Sequence, residues 1–241
     1  MLFEVILIAF GAGVVGSLVG GIIGVVIKKS SKTYISMMLG FAAGAMMGVA
    51  LFELLPEAYE HGGIWATLFG TLLGVLFIFL LGTLTKKNEN ESVSDKKKLK
   101  RMGILIFFAM ALHSVPEGLA IGAGEHLGIG LLLGVIFFLH FIPEGLAIAV
   151  PMKASGVKVW KILTLCFVAG ATTIIGAIIG YYIGMVDVLL SYCLSFAAGA
   201  MLYVALSEML PTAYSYSNSH KSLSAVIISA ALLIIVFSFI L

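Results

Sequence analysis

Long apolar runs separated by short polar segments dominate the chain. Residues 5–27 contain no charged side chain, and a helix needs about 20 apolar residues to cross the hydrocarbon layer of a bilayer. The same pattern predicts eight transmembrane helices, which we number 1 to 8, near residues 3–27, 34–58, 64–84, 102–124, 127–151, 158–183, 187–212 and 222–241. The chain is therefore predicted to be an all-α, polytopic membrane protein with a single transmembrane domain over residues 1–241.

The composition agrees with a membrane location. Hydrophobic residues make up 61% of the chain and charged residues 11%, which is too apolar for a soluble core of this size. Helix 1 is longer than the apolar part of a signal peptide and has no basic segment before it, so we expect it to be retained. We expect the lipid bilayer as a partner, and neither a nucleic acid nor an organic cofactor.

The distribution of charge predicts the orientation in the membrane. With both termini outside, all 14 Lys and Arg residues lie on the cytoplasmic side, as the positive-inside rule requires. Residues 85–101 then form a cytoplasmic loop, and the protein is placed in the plasma membrane. The outer segments carry acidic and His side chains, either as a rim that concentrates cations or as ordinary loop tips: Glu57, Glu60, His61, Glu125, His126 and Asp187.

Part of the sequence is repeated at a constant offset. Residues 41–59 and 196–214 are identical at 14 of 19 positions with an offset of 155. This offset maps helix 1 onto helix 6, helix 2 onto helix 7 and helix 3 onto helix 8, and it leaves helices 4 and 5 as a central pair. Helices five apart cross in opposite directions. The result is a 3+2+3 inverted repeat, an arrangement that is typical of secondary transporters.

The central pair of helices carries a duplicated motif. HSVPEGLAIG at 113–122 returns as HFIPEGLAIA at 140–149. Residues four apart share a helix face, so His113 lies beside Glu117 and His140 beside Glu144. A carboxylate at the bilayer centre costs about 2.5–3.5 kcal/mol on insertion scales, and a bound cation offsets this cost. Two imidazoles and two carboxylates suit Zn²⁺ and its first-row neighbours.

Pro and Gly residues accompany both copies of the motif. Pro116 and Pro143 each remove a backbone hydrogen bond and free a carbonyl one turn earlier. Gly118 and Gly145 keep the backbone beside each carboxylate free of bulk, which permits close approach or a kink. These features also favour a binding site within the membrane.

Three further residues are candidates for the metal site or for the path of the ion because of their positions in the helices. Met46, near the middle of helix 2, is either a soft thioether ligand or a core residue. Glu53 and Glu208 are equivalent in the repeat, and each precedes a Pro by three residues. They are either relays along a metal path, Glu53 on the outer side and Glu208 on the inner side, or polar residues near helix ends.

The doubled HxxPEG motif, the FAAGAM segment of helix 2 and the number of helices resemble the ZIP (Zrt-, Irt-like) family of divalent metal transporters, in particular its compact prokaryotic members. The resemblance implies uptake of Zn²⁺ or related ions such as Fe²⁺, Mn²⁺, Co²⁺ or Cd²⁺ as transported substrates, often by a homodimer. It implies His113, Glu117, His140 and Glu144 as ligands and matches Met46 to a Met ligand. It also implies motion of helices 1, 4, 5 and 6 against helices 2, 3, 7 and 8.

Three positions depart from family members that hold two adjacent metals. Those members carry Asn or Asp after each motif His and a Glu in helix 6, whereas this chain has Ser114, Phe141 and Thr173. Phe141 has no donor atom. Ser114 and Thr173 remain possible members of the metal path, and we expect a single ion at the centre.

Two other functions compete with metal import. An intramembrane zinc-dependent hydrolase would use metal-activated water, but HExxH is absent from the sequence, no Ser or Cys nucleophile is paired with a His, and the repeat has no role in such an enzyme. A transporter that uses the same side chains to carry protons for another substrate is the second alternative. We therefore predict a transporter and not an enzyme.

Overall fold

The computed structural model describes residues 1–26, 32–86, 94–183, 186–217 and 223–231. Within these ranges every regular element is helical and none is a strand. Six helical stretches are long and apolar enough to cross a membrane: Leu2–Val26, Lys32–Leu84, Asp95–Gly124, Gly130–Ala154, Val159–Ile183 and Asp187–Tyr216. For these residues the all-α prediction is confirmed, and the six stretches are candidates for crossing a membrane.

The second of these stretches is too long for one crossing. Its 53 residues would span about 80 Å as one straight helix, whereas the hydrocarbon layer is about 30 Å thick. The helical path breaks at Gly63, which has φ 67° and ψ −177°, a conformation that Gly adopts at little cost because it lacks a Cβ. The break lies inside the gap predicted between helices 2 and 3.

We number the observed helices in chain order as α1 (Leu2–Val26), α2 (32–62), α3 (64–86), α4 (Asp95–Gly124), α5 (Gly130–Ala154), α6 (Val159–Ile183), α7 (Asp187–Tyr216) and α8 (223–231). Residues 232–241, the rest of predicted helix 8, lie outside the described residues, as do residues 87–93 of the predicted loop. Helix α4 begins at Asp95 rather than at 102, because its basic first turns are solvated and extend the helix beyond its apolar part.

In the described part of the chain, three π-helical segments interrupt the α-helices, at Phe10–Val15, Ala50–Leu54 and Ala205–Met209. The last two are offset by 155 residues, so they occupy equivalent places in the sequence repeat. Each ends just before a Pro that lacks an N–H, and each contains one of the two equivalent glutamates, Glu53 and Glu208. Single π turns within α-helices occur frequently at functional sites.

The helices form two bundles. In the first, which we call the motif bundle, α4 packs most extensively on α6 and α5 on α1. In the second, the support bundle, α3 packs along α7, α2 lies against the C-terminal part of α7, and Gly44 of α2 lies against residues of α8. The two bundles meet mainly where α4 faces α7 and α2 faces α5.

Glycine contacts hold each bundle together. The Cα of Gly118 packs on the Thr173 carbonyl between α4 and α6, and that of Gly145 packs on the Ser17 carbonyl between α5 and α1, both too close for a Cβ. Gly199 makes the same kind of contact in the support bundle. Among glycines with described surroundings, only Gly82 has its nearest neighbour across the two bundles, and a Cβ there would meet Leu105 at an ordinary 4.0 Å.

Candidate metal centre

Four side chains of the duplicated motif converge inside the motif bundle. His113 and Glu117 project from α4, His140 and Glu144 project from α5, and each of the four is at most 2% exposed. Each offers one ligand atom, and these atoms all lie within 4.8 Å of one another. Both copies of the motif therefore contribute side chains to one buried cluster.

The distances within this His/Glu centre match the edges of a small coordination polyhedron. His113 Nε2 lies 3.1 Å from Glu117 Oε1 and 3.2 Å from Glu144 Oε1. His140 Nε2 lies 3.2 and 2.8 Å from the same two oxygens, and the two Nε2 atoms are 3.2 Å apart. Tetrahedral Zn²⁺ ligands at about 2.0 Å from the ion are about 3.3 Å from one another. The four atoms therefore surround a position of the right size for one such ion.

The hydrogen bonding of the centre is incomplete. Within the described part of the chain, neither oxygen of Glu117 has a hydrogen-bond partner, and the same holds for Glu144 Oε2 and the two Nδ1 atoms. Buried carboxylates without donors are unfavourable, and a cation supplies the missing interaction. The donor set and its unmet oxygens thus fit a divalent transition metal.

Local packing explains why the four side chains converge. Gly118 and Gly145 follow the two glutamates directly, and their close contacts dock α4 on α6 and α5 on α1. Both helices continue through Pro116 and Pro143, so the spacing of four residues keeps each His on the face of its Glu. The predicted role of the two glycines in close approach is confirmed.

The support bundle closes one side of the centre. A cavity of about 10 Å³ lies between the bundles, with His140 and Glu144 on one wall and Met46 and Met201 on the other. The remaining lining residues are Ala45, Val49 and Pro143. Met46 and Met201 are equivalent in the sequence repeat and are 1% and 0% exposed.

The two equivalent glutamates meet different partners across the bundles. Glu53 Oε2 lies 3.7 Å from His140 Nδ1 on α5, so Glu53 borders the centre. Glu208 Oε2 accepts a hydrogen bond of 3.0 Å from Arg101 Nη2 on α4. The structure brings Glu53 to the His/Glu centre and places Glu208 in an ion pair instead.

The remaining predicted residues lie close to the motif helices. Ser114 Oγ donates to the Met110 carbonyl one turn earlier at 2.8 Å, so its hydroxyl is hydrogen-bonded within its own helix. Thr173 is buried between α6, α1 and α4, with an Oγ1 that has no described partner. Phe141 packs in an apolar cluster with Ala12 and Ile121.

Two residues of this region were not singled out from the sequence. Met201 was detectable, because the offset of 155 maps Met46 onto it. Arg101 ends a run of basic residues, which predicts a loop. Its partner Glu208 is 107 positions away, so no pattern in the sequence near Arg101 indicates the ion pair.

One family model and several known proteins match this sequence. The sequence model of the family described as ZIP Zinc transporter matches residues 82–238. The chain is 35% identical over 231 residues to the zinc transporter ZupT of Streptococcus mutans, covering 87% of both chains. It is 32% identical to ZupT of Chlorobium phaeovibrioides, covering 89% of this chain and 90% of the relative, and 31% identical to ZupT of Corynebacterium glutamicum, covering 95% and 97%.

Proposed function

The chain belongs to the ZIP family of zinc transporters, and from this membership we propose that the His/Glu centre binds Zn²⁺ and related divalent ions during import into the cytoplasm. The protein is a membrane transporter and not an enzyme. The observation that carries the proposal is the buried set of two imidazoles and two carboxylates, whose ligand atoms lie within 4.8 Å of one another. The ion is cargo, held in the membrane interior by His113, Glu117, His140 and Glu144.

The distribution of close packing supports transport by motion of one bundle against the other. Glycines bring backbone against backbone within each bundle, whereas among glycines with described surroundings only Gly82 faces the other bundle, at an ordinary contact distance. Packed bundles of this kind move as rigid bodies more readily than they deform. We propose that the motif bundle carries the ion while the support bundle forms the opposing wall.

The equivalence of the two π-helical segments supports an inverted repeat of three, two and three helices. Ala50–Leu54 and Ala205–Met209 fall at matching positions, and Met46 and Met201 line one cavity. With Lys32–Leu84 divided at Gly63 and the eighth helix that the sequence predicts near residues 222–241, the chain would cross the membrane eight times. Both termini would then lie outside, and residues 85–101 would be cytoplasmic.

The number of ions and of subunits completes the proposal. Phe141 lies in an apolar cluster and has no donor atom, which supports a single ion at the centre. We propose a homodimer in the plasma membrane, with exposed apolar side chains of α3 such as Trp65 and Leu72 facing lipid or the second subunit. A zinc-dependent hydrolase is not favoured, because the relatives that match 87% and 95% of the chain are named zinc transporters.

Uptake into proteoliposomes tests the function. We expect the native protein to accumulate Zn²⁺ in the lumen, and Glu117→Gln and Glu144→Gln each to reduce uptake to background, since each removes a charged ligand. Glu60→Gln, which removes an exposed carboxylate, is the matched control and should retain uptake. Substrate hydrolysis without metal accumulation by the native protein would reject the proposal.

The unfolding temperature of the same variants in metal-free detergent separates a transport role from a structural one. A buried carboxylate without a donor is unfavourable, so neither Gln variant should unfold below the native protein. If both lost stability without metal, the glutamates would instead be structural.

Labelling tests the orientation. A Cys introduced at Asn90 should resist an impermeant thiol reagent in intact cells and react after the cells are opened. Ready labelling from outside would invert the proposed topology.

A further inference from the structure

We propose that Met201 acts as a thioether donor to the transported ion beside Met46, which the family resemblance already matches to a ligand, and that Met201 sets the preference of the centre for soft over hard divalent ions. The inference rests on the proposed function, because it concerns the same ion. It adds a specificity-determining residue from the support bundle to the four ligands of the motif bundle.

The cavity beside the centre is very small. Its volume is about 10 Å³, close to the minimum that holds one water molecule. Every side chain that lines a space of this size can touch a single small occupant. Four lining residues have donor atoms, namely His140, Glu144, Met46 and Met201, and the other lining side chains have none.

The two methionines lie on the side of the cavity opposite the motif helices. They come from α2 and α7, which are equivalent in the repeat, and both are almost fully buried. The cavity therefore has imidazole and carboxylate donors on the wall formed by the motif bundle and thioethers on the wall formed by the support bundle. Among the residues that line the cavity, Met46 and Met201 supply the side-chain donors opposite His140 and Glu144.

The chemistry of sulfur gives the consequence. Thioethers favour soft ions, whereas Mn²⁺ and Mg²⁺ favour oxygen ligands. An ion that accepts sulfur also binds both bundles at once in this conformation. Cd²⁺ should therefore bind more tightly than a purely N₂O₂ site would allow, and Mn²⁺ should gain nothing from the pair.

The experiment compares Met201→Leu, Met46→Leu and the double variant with Met209→Leu in the full-length protein. Leu has nearly the volume of Met, so the packing changes little. Met209 is a matched control, since it is on the same helix and fully buried but does not line the cavity. The KM for Cd²⁺, Zn²⁺ and Mn²⁺ is measured by uptake into proteoliposomes.

We expect Met201→Leu to raise the KM for Cd²⁺ by about tenfold, the lower end of losses around metal sites, to raise that for Zn²⁺ less, and to leave that for Mn²⁺ unchanged. Met209→Leu should not change the Cd²⁺ to Mn²⁺ ratio. An equal ratio in Met201→Leu and Met209→Leu would overturn the assignment of Met201.

X-ray absorption of the Cd²⁺-loaded protein tests the same inference through the atoms that surround the ion. In protein labelled with selenomethionine, a selenium shell around Cd²⁺ is expected and must disappear in the double variant. Absence of that shell in native protein that transports Cd²⁺ would reject the thioether pair and leave the proposed function intact. Failure of the native protein to take up any divalent ion would instead reject the proposed function.

Discussion

The interior of each bundle and the interface between the two bundles are built differently. Inside the bundles, Gly118, Gly145 and Gly199 bring backbone against backbone, and hydroxyls such as Thr172 Oγ1 donate to a carbonyl of the neighbouring helix. At the interface, Met46 and Met201 face the centre, and glutamates reach across. Close backbone packing resists displacement, whereas a side-chain interface can separate and reform. The difference supports the proposed motion of one bundle against the other.

The interface is itself unequal on its two sides. Glu208 on α7 is paired with Arg101 on α4, and both side chains are largely buried, at 10% and 13% exposure. Its equivalent, Glu53 on α2, approaches His140 of α5 at 3.7 Å and has an oxygen without a hydrogen-bond partner among the described residues. An ion pair therefore connects α7 to α4, whereas α2 places a carboxylate beside the His/Glu centre.

Breaking the ion pair should have the largest effect on stability. Arg101→Gln alone leaves the Glu208 carboxylate buried without its charge partner, which typically costs about 3–5 kcal/mol. Unfolding in detergent should report a comparable loss for Glu208→Gln. The double variant, in which neither charge remains, should recover a substantial part of the stability. Equal losses in the single and double variants would show that the pair is not coupled.

Filling a glycine contact inside a bundle should have the next largest effect. In Gly118→Ala the new methyl group meets backbone atoms of Thr173 and Ala177, so α4 and α6 must separate, at a cost of about 1–3 kcal/mol. Gly82→Ala, at the interface, adds a methyl group at ordinary contact distance from Leu105 and should be close to neutral. The thermal unfolding temperatures of the two variants test this difference between the bundle interior and the interface. Equal shifts in both variants would contradict it.

Removing the charge of Glu53 should have the smallest effect of the three on stability but should reduce transport. Glu53→Gln keeps the volume of the side chain and removes one carboxylate beside the centre, so Zn²⁺ uptake should fall by about tenfold, as for other partners around metal ligands. The unfolding temperature should stay close to that of the native protein. Unchanged uptake would assign Glu53 to the helix surface rather than to the metal path.

The elements and the centre could be predicted from different kinds of signal. Apolar runs identified the helices because a bilayer imposes a minimum length, and a spacing of four residues paired His113 with Glu117 on one face. The start of α4 at Asp95 was not predicted, because a polar helix outside lipid has no apolar run to mark it. The partner of Glu208 was not predicted either, since the repeat fixes equivalent backbone positions but not the side chains that face them from another helix.

The break at Gly63 has a mechanical consequence for the centre. A single non-helical residue joins α2 to α3, so the two helices cannot shift far along the membrane normal relative to one another. The many apolar side chains that α3 exposes, such as Phe69 and Leu76, fix the depth of α3 in the hydrocarbon layer. Since Met46 and Glu53 are on the helix joined to it, their height in the membrane is tied to the thickness of the surrounding lipid.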